Sequence, residues 1–139
     1  MKRTLLVLGV LAPGLAFLPG CATNDHGAYM PVNTTVNNVE NQAGFVLLDN
    51  ALQNAVTCTG IQETRFPDGR LQVEANVRNR ANRRLQVQLN CVFKDAQGFT
   101  VDETPFHNFF LDENATQGAR FVSATDKAIR YTIRIREAR

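Results

Sequence analysis

From Val56 onward the chain holds runs in which apolar residues recur at every second position. Leu71, Val73, Ala75 and Val77 alternate with Gln72, Glu74, Asn76 and Arg78. Leu85, Val87, Leu89, Cys91 and Phe93 alternate with Gln86, Gln88 and Asn90. Ile129, Tyr131, Ile133 and Ile135 do so with Arg130, Thr132, Arg134 and Arg136. A period of two places one set on each side of an extended chain, so each run predicts a strand with one face in a core and one in water. Shorter β segments are expected at Thr57–Ile61, Phe99–Val101, Phe109–Leu111 and Ala119–Ser123.

The breaks between the runs carry turn chemistry. In Phe66-Pro67-Asp68-Gly69-Arg70, proline presets φ and glycine accepts a positive one. Asn79 to Arg83 and Asp95-Ala96-Gln97-Gly98 reverse the chain again, and Pro105 ends the strand after Val101. About seven short strands with frequent turns predict an all-β fold, a β-sandwich with a small open barrel as the alternative. Residues 44–55 fit two patterns. Phe45-Val46-Leu47-Leu48 reads as a short strand followed by a loop at Asp49-Asn50, while Phe45, Leu48, Leu52 and Ala55 also suit a helical turn or two.

Before residue 44 the pattern differs twice. Residues 1–20 hold Lys2 and Arg3, then an apolar stretch interrupted by Pro13-Gly14, which is short for a membrane span. They read as an export signal. The stretch closes with Leu18-Pro19-Gly20-Cys21, which resembles the lipobox of bacterial lipoproteins. That resemblance implies cleavage before Cys21, a diacylglyceryl group on its sulfur and an acylated amino terminus. Two or three acyl chains anchor a protein stably, at about 0.8 kcal/mol per buried CH₂. Ala22 stands where Asp would signal inner-membrane retention in enterobacterial-type sorting, so the expected location is the outer membrane, with the domain facing the periplasm. Residues 21–43 are rich in Asn and Thr without periodicity and read as a lipidated, flexible tether. The expected organisation is signal peptide 1–20, tether 21–43 and β-sandwich 44–139.

Charge excludes one class of function. The 15 Lys and Arg exceed the 13 Asp and Glu only through Lys2 and Arg3, which leave with the signal. A neutral mature chain offers no electrostatic footprint for nucleic acid.

Cys58 and Cys91 remain after Cys21 is lipidated. Two thiols in an oxidising compartment most often pair, and a Cys58–Cys91 disulfide would close a loop of about 34 residues, contributing roughly 3–4 kcal/mol. Two separate buried free cysteines are the alternative.

Candidate chemistry is sparse. His107 lies near Asp102, Glu103, Asp112 and Glu113, but the spacing matches no ligand or acid–base motif and reads as an exposed loop histidine. His26 falls in the tether. Ser123 is the sole serine and has no nucleophile-elbow pattern. No catalytic residue, metal site or cofactor is assigned. Arg78, Arg80, Arg83 and Arg84 cluster at one turn, and Arg130, Arg134 and Arg136 line one side of the last strand. Such sets serve as contacts for anions or acidic partners, or as solvated faces and edge protection.

A lipobox, a spacer, and an alternating strand running into Phe93-Lys94-Asp95-Ala96-Gln97-Gly98 together resemble the YcfL-like small lipoproteins. The resemblance covers about Phe45 to Arg136. It implies an immunoglobulin-like sandwich of unknown function and supplies no catalytic residues; this chain departs in having no Trp. The expected role is therefore a non-catalytic envelope lipoprotein that binds another envelope protein. A binding domain for a cell-wall or lipid-derived ligand is the alternative. Cys21→Ser should abolish anchoring: membrane fractionation should find the variant unprocessed or soluble. A variant that is processed and stays membrane-bound at the parent level refutes lipidation.

Overall fold

The computed structural model describes residues 43–138. The expected signal peptide, the expected lipidation site at Cys21 and all of the expected tether but Ala43 lie outside the described residues. Strand β1 spans Phe45–Leu47, β2 Val56–Arg65, β3 Leu71–Asn79, β4 Leu85–Lys94, β5 Thr100–Glu103, β6 His107–Leu111, β7 Thr116–Val122 and β8 Arg130–Glu137.

Pro67 and Gly69 fold the chain back between β2 and β3. Gly69 has φ +88° and its N–H donates to the Phe66 carbonyl at 2.9 Å. The Asp68 carboxylate accepts from the Arg70 backbone N–H (3.1 Å) and guanidinium (2.6 Å), which holds its pKa below the usual range. β3 then pairs antiparallel with β2 on one side and β7 on the other, forming a three-stranded sheet. A register shift between Cys58 and Gly60 marks a bulge in β2.

The second sheet is built on β4, which pairs antiparallel with β8 along one edge. The other edge is shared: β6 pairs with Leu85–Leu89 and β5 with Val92–Lys94. Pro105, which has no N–H to give, falls in the gap between them. Thr104 closes that gap, its N–H donating to the Cys91 carbonyl (3.0 Å) while its hydroxyl accepts from the Cys91 N–H (2.9 Å). β1 adds parallel to the far side of β8.

The core lies between the two sheets. Val73, Ala75, Val77, Ala119 and Phe121 from the smaller sheet meet Val87, Leu89, Cys91, Phe93, Ile133, Ile135 and Leu111 from the larger. Each Val, Leu, Ile or Phe buried this way contributes about 1.5–3 kcal/mol. Two separate sheets packed on one core make this an all-β, immunoglobulin-like sandwich; the open barrel is not formed.

Several elements differ from the sequence expectation. There are eight strands among the described residues, and β6, β7 and β8 are each placed or extended beyond the apolar alternation because ladder bonds continue into polar positions. Residues 44–55 contain both competing motifs in miniature: strand β1, then a single 3₁₀ turn at Asn50–Leu52 that buries Leu52. Ile129 is half exposed, since it precedes β8 at the end of the sandwich.

Glycine substitutions test the turns. At Gly69 a Cβ would meet the Asp126 Cβ at 2.9 Å, whereas at Gly98, with φ +94°, it meets nothing within 4 Å. Gly98→Ala should cost about 1–2 kcal/mol from positive φ alone, and Gly69→Ala more. Gly60→Ala should be nearly neutral, having no near neighbour and no positive φ. With about 4–8 °C per kcal/mol for a domain of this size, thermal melts resolve that order. Equal midpoints for all three refute the turn geometry.

Candidate functional site

The arginines singled out in the sequence fall into two places that the fold does not bring together. Asn79 organises the first. Its buried amide donates to the carbonyls of Arg83 (2.8 Å) and Asp112 (2.9 Å), and its side-chain oxygen accepts from the Ala81 N–H (2.8 Å). The β3–β4 loop is thereby tied to the β6–β7 turn, and Arg78, Arg80, Arg83 and Arg84 point outward, exposed, from that fixed base. Arg84 lies 3.4 Å from Asp112 and stacks over the exposed Phe110 ring at 4.9 Å. Arg83 and Arg84, with Ala51, Leu52, Glu137 and the start of β4, line an open hollow of about 230 Å³.

The second set lies on the outer side of the larger sheet. Arg130 is exposed. Arg134 is largely enclosed: its guanidinium forms an ion pair with Glu103 and donates to the Asn90 side-chain oxygen at 2.9 Å, and Asn90 in turn donates to Glu103 at 2.8 Å. Arg136 donates to Gln88 (2.9 Å) and stacks on Phe106 at 3.8 Å. β8 is an interior strand between β1 and β4, so these arginines do not guard a sheet edge. The enclosed Arg134 belongs to a cross-strand network and is not available as a loose contact.

The acidic residues around His107 are engaged separately. Asp102 accepts from the Ala124 N–H (2.6 Å), Glu103 belongs to the Arg134 network, and Asp112 faces Arg84. His107 opens strand β6, contrary to the loop expected for it, because the β4 ladder reaches it opposite Leu89. Its exposed ring leans on Phe121 at 5.6 Å. No group of three or more potential metal ligands converges among the described residues. Ser123 is fully buried, its hydroxyl accepting from the Leu71 N–H (2.9 Å) and donating to the Thr125 carbonyl (2.8 Å), which makes it a strand-end clasp.

The expected Cys58–Cys91 bridge is not formed, and both thiols are free. Cys58 sits at the β2 bulge with its sulfur 3.4 Å from the Gly60 carbonyl, whereas Cys91 is buried in β4 of the opposite sheet. Burial pushes the Cys58 thiol up, and drives Cys91 to about 12, with the Asp102 charge adding to the effect. Burial and the hydrogen bond to Glu63 also raise Tyr131 well above a free phenol, so it stays protonated and its hydroxyl donates to Glu63 at 2.9 Å.

Sequence reading missed the clasps Asn79 and Asn90, whose polar side chains sit in apolar alternation or on a supposedly wet face. It also missed the strand edges. β2 is ten residues long and bonded on one side only among the described residues. Thr59, Gly60 and residues 62–65 are exposed. β1 has only three residues, and the β5–β6 edge is broken at Pro105.

No protein-family profile matches the chain, and no curated protein does. Two solved structures share its fold. Campylobacter jejuni cj0090 superposes with a TM-score of 0.57 at 14% identity, over 68% of this chain and 98% of that one. A DUF1425 family member from Shewanella sp. pv-4 superposes with a TM-score of 0.56 at 18% identity, over 66% of this chain and 87% of that one. The described domain is thus an all-β sandwich with the fold of a DUF1425-like domain.

The thiol environments predict an alkaline limit. Cys91 holds its proton to about pH 12 in the fold, against an ordinary 9.0. Its contribution is full below pH 9 and is lost as pH rises toward 12, because the unfolded chain releases the proton first. Urea midpoints should fall progressively above pH 9. At pH 8, iodoacetamide should spare Cys91 in the native protein and modify both Cys58 and Cys91 in denaturant without reductant. Protection in denaturant that only a reductant relieves would contradict free thiols.

Proposed function

We propose that this chain is a non-catalytic envelope lipoprotein of the YcfL-like kind, anchored on the outer membrane through acylated Cys21, whose sandwich binds a protein partner in the periplasm. The observation that carries this reading is the edge of β2 that pairs with no other described strand. An unpaired strand edge presents a row of N–H and C=O groups to which an extended peptide can add as a further strand, the main chain supplying affinity and alternate side chains supplying selectivity. β2 is long enough for this, at ten residues, and residues 62–65 of its second half are exposed. The Tyr131–Glu63 bond ties that half to the larger sheet, so the edge is held in place before any partner arrives. Confinement to a surface by lipid raises local concentration and makes modest affinity sufficient.

The hollow beside Arg83 and Arg84 supports a second reading, capture of an anionic cell-wall or lipid-derived fragment. Its open shape and the engagement of Arg84 with Asp112 and Phe110 make it the weaker surface.

A photoreactive residue placed at Gln62 or Thr64 in living cells separates the two. Adducts with an envelope protein from β2, and none from Arg120, the β7 position level with Gln62, are the expected result. Adducts of lipid or glycan mass from Arg83 would support the ligand reading instead. Normal abundance with no adduct from β2 overturns the edge reading.

A further inference from the structure

One end of the sandwich carries apolar side chains in water. Phe99 is 72% exposed and Ile129 51%. The ladder brings them to the same place. Lys94, the last residue of β4, is level with Thr100 of β5 and Arg130 of β8. One step beyond, the Asp95 N–H donates to the Phe99 carbonyl at 2.9 Å, and the Ile129 N–H donates to the Lys94 carbonyl at 2.8 Å. Phe99 and Ile129 therefore stand on either side of Asp95, their backbones two strand spacings, or about 10 Å, apart.

Both are held on a fixed base. The Asp95 carboxylate accepts from the Gln97 N–H (3.0 Å) and the Phe99 N–H (2.9 Å), which sets the turn that carries Phe99. Ala128, just before Ile129, is fully buried. The Arg65 guanidinium donates to the carbonyls of Gly69 (2.8 Å) and Ala128 (3.0 Å), so the β2–β3 turn is tied to the Ile129 segment. Side chains already fixed in position lose little freedom when something covers them.

The chain enters the described domain at this end. β1 runs parallel to β8, with Phe45 level with Ile133. Going back from Phe45, the Gly44 carbonyl accepts from the Ile133 N–H at 2.9 Å, and Gly44 lies against the Tyr131 ring. Gly44 and Ala43 thus head for the end where β8 begins and Ile129 stands. The covalent path from Cys21 joins the domain here.

We propose, resting on the reading of Cys21 as a lipid anchor, that this end of the sandwich sits on the bilayer surface, with Phe99 and Ile129 entering the boundary between headgroups and acyl chains. Lys127 and Arg130 are exposed on either side of Ala128 and Ile129, where anionic headgroups would meet them. Of the acidic groups at this end, Asp68 pairs with Arg70, Asp95 is occupied by its own turn, and Asp126 lies on the Gly69 side. The far end is built differently: its exposed Phe110 ring lies under the Arg84 guanidinium at 4.9 Å. Two apolar side chains do not hold a protein on a membrane. Acyl chains do that, and Phe99 and Ile129 decide which end faces the lipid.

The test fixes attachment chemically, so that its outcome is independent of acylation in cells, which fractionation of Cys21→Ser decides separately. The chain from residue 21 onward, carrying Cys58→Ala, is coupled through the Cys21 thiol to a maleimide-bearing lipid in vesicles of phosphatidylethanolamine and phosphatidylglycerol. The chain has no Trp, so Phe99→Trp, Ile129→Trp and Glu113→Trp each carry a single fluorophore, the last in the β6–β7 turn at the far end. When the acyl chains are brominated about 5–10 Å below the headgroup boundary, Phe99→Trp and Ile129→Trp should lose emission and shift to the blue. Glu113→Trp should do neither. Equal quenching at all three positions overturns the proposal. So does the absence of quenching at 99 and 129 in variants that melt with the parent. A blue shift at 99 that grows with protein density on the vesicle, without quenching by bromine, would mean that a second copy covers this end, and would overturn it as well.

Discussion

The rest of the molecule depends on satisfying β4. Its ten residues run through the middle of the larger sheet, so each backbone N–H and C=O needs a partner on one edge or the other. β8 serves one edge along its length, and β6 and β5 serve the other in two instalments. Where those instalments part, at Pro105, Thr104 substitutes its own N–H and hydroxyl for the missing ladder. The same strand needs both faces covered from Asn90 onward. One face meets the core. The other is covered in part by Arg134, Glu103 and Phe106, which explains why these residues form a packed polar network and not a solvated charge pattern.

Polar side chains hold the ends of the sandwich. Asn79 ties the loop after β3 to the turn after β6, and Ser123 clasps the end of β7 to the start of β3. Removing one partner from such a buried group leaves others unpaired, which costs about 1–3 kcal/mol for each. These clasps give the exposed surface a rigid base. On that base the molecule presents arginines at one end, half-exposed Ile129 and exposed Phe99 beside the β4–β5 and β7–β8 connections, and the long edge of β2 along one side. His107, Asp102, Glu103 and Asp112, which chemistry would require to converge, are each engaged elsewhere.

The cysteines show how burial decides reactivity. Cys91 lies in the core of the larger sheet, where desolvation favours the neutral thiol, and Cys58 sits across the sandwich at a bulge. A thiol held protonated at neutral pH is a poor nucleophile. Both residues act as small apolar side chains, and Cys91 fills its place between Leu89 and Phe93 as an alanine or valine would.

Much of the fold was legible in the sequence because strand periodicity and turn chemistry are local. Alternation at Leu71–Val77 and Leu85–Phe93 identified the core faces of β3 and β4, and Gly69 and Gly98 marked the turns, since positive φ is a property of a single residue's backbone. Residues 44–55 were ambiguous because a short apolar run fits either period, and only the neighbouring β8 ladder made Phe45–Leu47 a strand. Pairing across the molecule decided everything else. It put His107 in a strand, made β8 interior so that its arginines could not be edge charges, left Cys58 and Cys91 as free thiols, and left one long edge of β2 without a partner among the described residues. Side-chain alternation says which residues share a face. It does not say which strand lies beside another or what lies above the sheet, because those depend on contacts between residues far apart in the chain.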